Sequence, residues 1–360
     1  MIIKKTLINE FLVIVMALIL ILSQTTLHSA QVLLELCLII ILALLLLQRK
    51  LKVWEISLFL FVLVTQLMSI LVYESPLSSF MLNTKMTGLA FMSLIYFRNN
   101  ATVSISMKVF FIICLILVLI QYFITSKFPV NIDQSLIKNL SIYNHKQPLG
   151  LFLDYHVSSY FLAIYFIGIS LTRRLFFIDL IIIWIMGVRT SFLALIGQKF
   201  FTMLGSKFSI FSKASVQITI VSVGVILLLT ILLPVFYTFL NVVGLGGGDS
   251  ITIMSKLIIT PNLYLDALSY IPMDFHEYKK IFTYDVGVKF SINELTLIAI
   301  MVIFGAPMGL FFLYFLFKFA PSYRVFILLS LLHYAAILNP FIIYLVFMFE
   351  NKLIQLKEHS

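Results

Sequence analysis

Residues 30–47 read AQVLLELCLIIILALLLL, an apolar run that decides how this chain folds. An α-helix rises 1.5 Å per residue, so a run of this length can cross the hydrocarbon core of a bilayer, which is about 30 Å thick. Runs of similar length and character recur from one end of the chain to the other. The sequence therefore predicts an all-α polytopic integral membrane protein with one continuous membrane domain, residues 1–360.

The composition supports this fold class and argues against others. Of 360 residues, 62% are hydrophobic and 11% are charged, and the mean hydropathy of +1.11 lies well outside the range of soluble domains. The net charge of +10 does not indicate nucleic-acid binding, because the basic residues are spread over short loops. Cys37 and Cys114 lie in apolar runs, so neither a disulfide framework nor a thiolate metal site is expected.

Apolar runs and helix breakers together place the membrane spans. In the first half they predict spans at 8–27, 30–47, 53–72, 79–97, 107–125 and 157–171. A cytoplasmic N-terminus then puts the basic residues between these spans on the cytoplasmic side, as the positive-inside rule requires: Arg49, Lys50, Lys52, Arg98, Arg173 and Arg174. Further spans are predicted at 215–240 and 294–317.

Two apolar stretches carry breakers near their middle and predict pairs of short helices. Residues 175–199 contain Gly187 and Arg189, and an arginine at the centre of one span would cost about 3 kcal/mol. A turn there moves Arg189 to the outer half and returns the next lysines to the cytoplasm: Lys199, Lys207 and Lys213. The same reasoning divides 325–350. The predicted total is about twelve spans with both termini cytoplasmic.

Two external segments, 126–156 and 241–293, are longer than the other connections and are expected to carry function. The second opens with Gly244-Leu-Gly-Gly-Gly-Asp249, which lacks the Gly-Lys-Ser/Thr of a phosphate-binding loop and is interpreted as a hinge. No internal repeat is visible in the sequence, which argues against the common transporter folds.

Arg189 is the arginine that this topology places on the outer side, and two interpretations stay open. It is either a snorkelling side chain satisfied by carbonyls and headgroups, or a bidentate donor to a diphosphate at the membrane surface. Lys85 lies a turn or two inside the fourth span, where it either faces a cavity or partner or snorkels outward.

Histidines and carboxylates also collect on the predicted outer side. The histidines are His28, His145, His156, His276 and His333. Asp154 and His156 stand two residues apart at the mouth of a span, and Glu294 begins another span, where it either complements the helix dipole or serves the site. No His-x-x-x-His, Cys-x-x-Cys or Asp-x-Asp spacing is present, so neither a metal site nor a cofactor is predicted.

Three segments in this order resemble the O-antigen polymerase and ligase superfamily of membrane glycosyltransferases. Lys146-Gln-Pro-Leu-Gly-Leu-Phe152, followed by Asp154 and His156, is similar to the family's basic residue, glycine and phenylalanine ahead of a helix. Gly187-Val-Arg-Thr-Ser-Phe-Leu-Ala-Leu195 is similar to its Ser-Arg-Thr turn between two short helices. Lys256 through Ser291-Ile-Asn-Glu-Leu295 resembles the end of its large external loop. The resemblance covers roughly 140–350.

Two departures from the family pattern affect the assignment of roles. Lys256 stands where many members have arginine, and Ile292 stands where a histidine often precedes the asparagine. His333, in the last predicted hairpin, looks like the histidine near the final outer turn of the ligases. Donor binding and the choice of base are therefore less closely determined by the resemblance than the fold is.

The resemblance implies a metal-independent transfer from an undecaprenyl-diphosphate-linked oligosaccharide. A lipid diphosphate is already a good leaving group, so fixed cations near the departing charge matter more than an acid. The implied substrate-binding residues are Arg189, Lys256, Lys146, Asp154, Asn293 and Lys85. The acceptor hydroxyl needs a base within hydrogen-bond reach, and the candidates are, in order, His156, His333, His276 and Glu294.

The function expected from this resemblance is a polymerase for O-antigen or capsular repeat units on the outer face of the bacterial inner membrane. Besides membrane lipid, the expected partners are a flippase and chain-length regulator proteins, and no nucleic acid. A ligase shares the same motifs and stays an alternative. A flippase or other transporter is the alternative of a different class, and it should show charged residues within many spans.

Overall fold

The structure of this chain is a computed structural model that describes residues 2–49, 51–73, 77–124, 148–170, 177–227, 272, 296–331 and 336–358. In these ranges the chain is helical and forms no β-strand. Its helices are α1 (Ile2–Ser23), α2 (His28–Gln48), α3 (Val53–Tyr73), α4 (Leu77–Asn100), α5 (Ile105–Ile124), α6 (Tyr155–Ser170), α7 (Ile178–Ile185), α8 (Arg189–Lys207), α9 (Ala214–Leu227), α10 (Thr296–Phe304), α11 (Ala306–Phe319), α12 (Arg324–Ser330) and α13 (Pro340–Glu358).

Four helices are long and apolar enough to span a membrane: Lys5–Ser23, His28–Gln48, Val53–Val72 and Ile105–Phe123. A fifth candidate is formed by Ala306–Phe319 and Pro321–Ser330 together, which are bent by 104°. An all-helical chain with several helices capable of crossing a membrane is therefore confirmed for the described residues. The count of about twelve spans stays a prediction.

Basic side chains gather at one end of the bundle, called here the basic end. The Glu55 carboxylate, 1% exposed, accepts hydrogen bonds from Arg49 at 2.6 Å and from Arg98 at 3.3 Å. The Arg98 guanidinium also lies over the rings of Trp54 and Phe319, at 5.2 and 4.8 Å from their centroids. These contacts join the end of α2, the start of α3 and the ends of α4 and α11. This is the end that the positive-inside rule predicts to be cytoplasmic.

The opposite end, called here the turn end, is where α1 is followed by α2 and where α6 and α8 begin. The Gln24 amide, between α1 and α2, donates to the carboxylate of Asp154 at 3.4 Å. Asp154 precedes the first residue of α6. The connection between the first two helices therefore lies beside the start of α6.

The predicted hairpin at Gly187 is confirmed. Gly187 has a φ of +71°, a conformation that favours glycine, and it separates α7 from α8. Asp179 on α7 forms an ion pair with Lys199 on α8. In one continuous helix these residues would be about 30 Å apart, so the ion pair requires the two helices to run antiparallel.

Lys199 was expected at the cytoplasmic end, and this expectation is wrong in detail. The structure places Lys199 in the middle of α8, because helix α8 continues to Lys207. The buried carboxylate of Asp179 holds the ammonium there. Helix α7 has 8 residues, so it is about 12 Å long and too short to cross a bilayer alone.

The single span predicted at 294–317 is also wrong. The chain breaks at Gly305, whose φ is +77°, and continues as a separate helix, α11. A methyl group on Gly309 would lie 2.9 Å from Cγ2 of Ile300, and the rings of Phe304 and Phe312 are 5.3 Å apart. Such contacts between residues eight or nine positions apart require a sharp bend. Pro307 favours this arrangement, because proline is tolerated in the first turn of a new helix.

The predicted division of 325–350 is confirmed, with unequal parts. Helix α12 ends at Ser330, and α13 runs from Pro340 to Glu358. The Glu350 carboxylate on α13 accepts hydrogen bonds from the backbone N–H and the hydroxyl of Ser322, at 2.5 and 3.1 Å. Ser322 stands just before α12, so the chain reverses direction between α12 and α13.

Helix α6 lies at the centre of the bundle. Every residue from Val157 to Gly168 is buried, so the helix is covered on all sides by other helices and not by lipid. A methyl group on Gly168 would overlap the ring of Phe349 on α13, which shows how closely the two helices approach. The start of α6 is thus held in a fixed position relative to its neighbours.

The orientation of the bundle can be tested by reporter fusions. If the basic end is cytoplasmic, a reporter fused after Lys213 should be cytoplasmic, because α8 leads from the turn end back toward the basic end. A reporter fused after Glu358, at the end of α13, should be cytoplasmic as well. An alkaline phosphatase signal at either position, which requires export, would contradict the predicted orientation.

Candidate functional site

The structure describes four of the ten residues predicted to bind substrate or act as a base. Asp154, His156 and Lys85 are described with their side chains, and Arg189 is described as the first residue of α8. The other six lie outside the described residues: Lys146, Lys256, His276, Asn293, Glu294 and His333. Their predicted roles are unchanged.

The turn before α6 has a tight and strained backbone. Gly150 has a φ of +67°, and Leu153 has a φ of +55°, which is unusual for a residue other than glycine. The Gly150 N–H donates to the side-chain oxygen of Gln121 at 3.0 Å, and the Ser158 hydroxyl donates to the carbonyl of Leu149 at 2.7 Å. Such conformations persist where the surrounding contacts fix them, and they are common at functional sites.

Asp154 caps the N-terminus of α6. Its Oδ1 accepts the backbone N–H groups of His156 and Val157 at 2.7 and 3.1 Å, which are otherwise unsatisfied in the first turn of a helix. With Gln24 on the other oxygen, the carboxylate has a clear structural role. The His156 ring is half-buried and lies against the ring of Tyr155, with centroids 4.0 Å apart.

The start of α8 lies against the start of α6. The hydroxyls of Ser159 and Ser191 are 2.5 Å apart, and the Tyr160 hydroxyl donates to that of Thr190 at 3.2 Å. Ser159 and Tyr160 lie in the second turn of α6, whereas Thr190 and Ser191 lie in the first turn of α8. The two segments that carry the family resemblance, 146–156 and 187–195, are therefore brought together at the turn end.

This arrangement favours an anion. Each helix N-terminus carries a partial positive charge of about half an elementary charge, and here two N-termini share one end of the bundle. No side chain caps the N-terminus of α8, where the N-cap position is Val188. Arg189 begins this helix and adds a full positive charge at the same end. A phosphate or diphosphate is a chemically suitable ligand for such an end.

Lys85 has a partner that the sequence analysis did not identify. Its ammonium donates to Oε2 of Glu35 on α2 at 2.5 Å, and Gln31 donates to Oε1 of the same carboxylate at 2.8 Å. Lys85 is thus neither a lone charge in a cavity nor a snorkelling side chain, but one half of an ion pair between two helices. Glu35 is the single charged residue in 30–47, and its position in an apolar run was the available signal.

The hydroxyl contacts between α6 and α8 were also missed. Serine, threonine and tyrosine within apolar helices give no sequence signal that distinguishes a lipid-facing position from a helix contact. Metal ligands show no cluster in the part of the chain that is described, where no three His, Cys, Asp or Glu side chains lie together.

Replacement of Gly150 by alanine should destabilise the turn before α6. The added methyl would lie 2.6 Å from the Ser158 hydroxyl oxygen, and the φ of +67° disfavours any other residue. Overpacking of this kind costs about 1–3 kcal/mol. The midpoint of thermal unfolding of the purified protein in detergent should therefore fall.

Gly224→Ala is the matched control for this substitution. A methyl at Gly224 would meet no atom within 4 Å, so its unfolding midpoint should stay at or above that of the unmodified protein. Equal midpoints for the two variants would contradict the assigned constraint at Gly150.

The comparisons with known proteins give no relative from which a function could be transferred. No family model, no curated protein and no solved structure matches this chain.

Proposed function

We propose that this chain is a polymerase that joins lipid-diphosphate-linked oligosaccharide repeat units into a bacterial surface polysaccharide, such as O-antigen or capsule. One observation carries the proposal. The segments 146–156 and 187–195, which resemble the superfamily of O-antigen polymerases and ligases, are distant in sequence, and the Ser159–Ser191 and Tyr160–Thr190 contacts bring them together. Residues that serve one site are expected to meet in this way.

The proposed chemistry assigns a role to each part of this end of the bundle. The N-termini of α6 and α8, together with Arg189, stabilise the negative charge that develops on the departing lipid diphosphate. His156, in the first turn of α6, accepts the proton of the acceptor hydroxyl as that oxygen attacks the anomeric carbon. The products are a glycan longer by one repeat unit and the free lipid diphosphate.

The turn end faces outward in this proposal, at the outer surface of the inner membrane. The basic end then lies in the cytoplasm, as the distribution of Arg49, Lys52 and Arg98 favours. Lipid-linked repeat units reach the outer leaflet only after translocation, so an associated flippase must supply the substrate. A chain-length regulator is the second expected protein partner.

Purified protein in detergent provides the direct test. Given an undecaprenyl-diphosphate-linked repeat unit, it should produce a ladder of longer lipid-linked glycans and release free undecaprenyl diphosphate, without added nucleotide. Chelation of divalent cations should leave the rate unchanged. A strict requirement for a divalent cation would contradict the proposed metal-independent transfer, and absence of any chain growth would contradict the polymerase.

A flippase is the second candidate, and one observation favours it. The ion pair of Lys85 and Glu35 lies inside helices that are otherwise apolar, where charged residues often mark transport pathways. A flippase reconstituted in vesicles would move the intact lipid-linked unit between leaflets without lengthening it. A ligase would instead transfer the glycan to lipid A or another acceptor and release the same lipid diphosphate.

A further inference from the structure

The upper half of α2 stands apart from the bundle. From His28 to Leu34, a fully described stretch, no side chain of α2 is buried, whereas Leu38, Leu42 and Leu46 are buried in the lower half. Glu35 marks the boundary, and it is itself buried. The first turns of α4 are exposed as well, with Leu77 at 66% and Met81 at 62%. The two helices therefore border a cleft that is open toward the lipid.

The Glu35–Lys85 ion pair forms the floor of this cleft. Both oxygens of the Glu35 carboxylate are occupied, one by Gln31 and one by Lys85. An ammonium group has three N–H donors, and among the described residues Lys85 donates to Glu35 alone. The Lys85 side chain is 26% exposed. The group at the floor with hydrogen-bonding capacity left is thus a cation.

The walls of the cleft have two kinds of surface. His28, Gln31 and Glu35 are spaced three and four residues apart, so they share one face of α2. The neighbouring faces are apolar and exposed, with Leu33 at 62% and Leu36 at 50%. A ligand that fits both surfaces has an anionic head and a long hydrocarbon tail.

The cleft leads to the candidate site. The Gln24 amide, one turn before His28, donates to Asp154, which caps α6. Glu35 is seven residues below His28, which places the floor about 10 Å from the start of α2. A lipid head held at Lys85 would therefore lie beneath the starts of α6 and α8, on the membrane side.

We propose that this cleft is the lateral docking site for the polyprenyl diphosphate substrate, with the Lys85 ammonium binding a phosphate oxygen and the tail lying along α2. The proposal rests on the proposed function for the identity of the lipid. Glu35 keeps Lys85 charged and oriented in an apolar environment, which a lysine alone would tolerate poorly. The substrate reaches the catalytic end from the side, without leaving the bilayer.

Binding of sugar-free undecaprenyl diphosphate tests this docking site. The full chain would be placed in phosphatidylethanolamine nanodiscs, with phosphatidylglycerol as the competing anionic lipid. Undecaprenyl diphosphate should bind in preference to phosphatidylglycerol, and Lys85→Gln should weaken its binding about 10-fold, the loss expected for one charge-assisted hydrogen bond. Lys85→Arg should keep most of the binding, because it keeps the cation.

Lys108→Gln is the control, because Lys108 is an exposed lysine on α5 near the basic end, and it should bind like the unmodified protein. Unchanged binding in Lys85→Gln would overturn the proposal. Equal loss of both lipids would overturn it too, because it would identify a general anionic-lipid seam. If Lys85→Gln binds normally while the unmodified protein polymerises, the docking site fails and the function stands. If binding depends on Lys85 but no polymer forms, the function fails and the docking site stands.

A photocrosslinking measurement keeps the test independent of variants that fail to fold. A benzophenone amino acid at Val32, on an exposed position of the upper half of α2, should crosslink a labelled undecaprenyl diphosphate. The same group at Leu310, an exposed position on α11, should not. Equal labelling at the two positions would overturn the assigned cleft.

Discussion

Replacement of Arg189 by alanine should lower the rate of polymerisation about 100- to 1000-fold, the loss typical for one preorganised donor to a developing negative charge. Arg189 is the first residue of α8, at the end where α6 also begins. The effect should fall on the rate of chain growth measured with purified protein and lipid-linked substrate, and the thermal unfolding midpoint should be unchanged.

Arg189→Lys separates charge from geometry in this prediction. Lysine keeps the positive charge but loses the planar fork that binds two phosphate oxygens at once, so this variant should recover only part of the activity. Lys207→Ala is the control, because Lys207 is an exposed cation at the other end of the same helix and should be dispensable. Full-length polymer from Arg189→Ala would remove Arg189 from the mechanism.

Replacement of His156 by glutamine should lower the rate about 100- to 10,000-fold, the contribution typical of a general base. Glutamine keeps the backbone N–H that donates to Asp154, so the cap of α6 is retained. In the unmodified protein the base must be neutral to accept a proton. The rate should therefore fall as the pH decreases through about 6.5, the ordinary pKa of histidine.

The variant and the pH profile must agree for His156 to be the base. If the acidic limb near pH 6.5 persists in the slow residual activity of His156→Gln, His333 or His276 is the base instead. A midpoint nearer 4.3 would indicate Glu294. Normal rates and an unchanged profile in His156→Gln would contradict its role altogether.

Local signals in the sequence were sufficient for some features of the fold. The turn at Gly187 was predictable because a glycine stands beside an arginine that an apolar span could not accommodate. The break at Gly305 was not, because Gly305 and Pro307 carry no charge and membrane helices often tolerate both residue types. The structure shows that this glycine adopts a φ that a continuous helix does not allow.

The candidate site was predictable in composition but not in geometry. A pattern of residues identifies that Asp154, His156 and Arg189 belong to the starts of helices, but it does not show which helices are neighbours. The Ser159–Ser191 contact and the Glu35–Lys85 ion pair both join residues far apart in sequence. Such contacts depend on the packing of the whole bundle, which helical periodicity alone does not determine.

The two buried carboxylates differ in how soon during synthesis their cations follow. Glu55 follows Arg49 by six residues, so this pair emerges from the ribosome together, and Arg98 joins it later. Glu35 precedes Lys85 by 50 residues, which at ordinary translation rates is a delay of about 3–10 s. During this interval Gln31, one helical turn away, is the neighbour that stabilises it. The α1–α2 hairpin therefore reaches the membrane incomplete and acquires its final position only when α4 has been inserted.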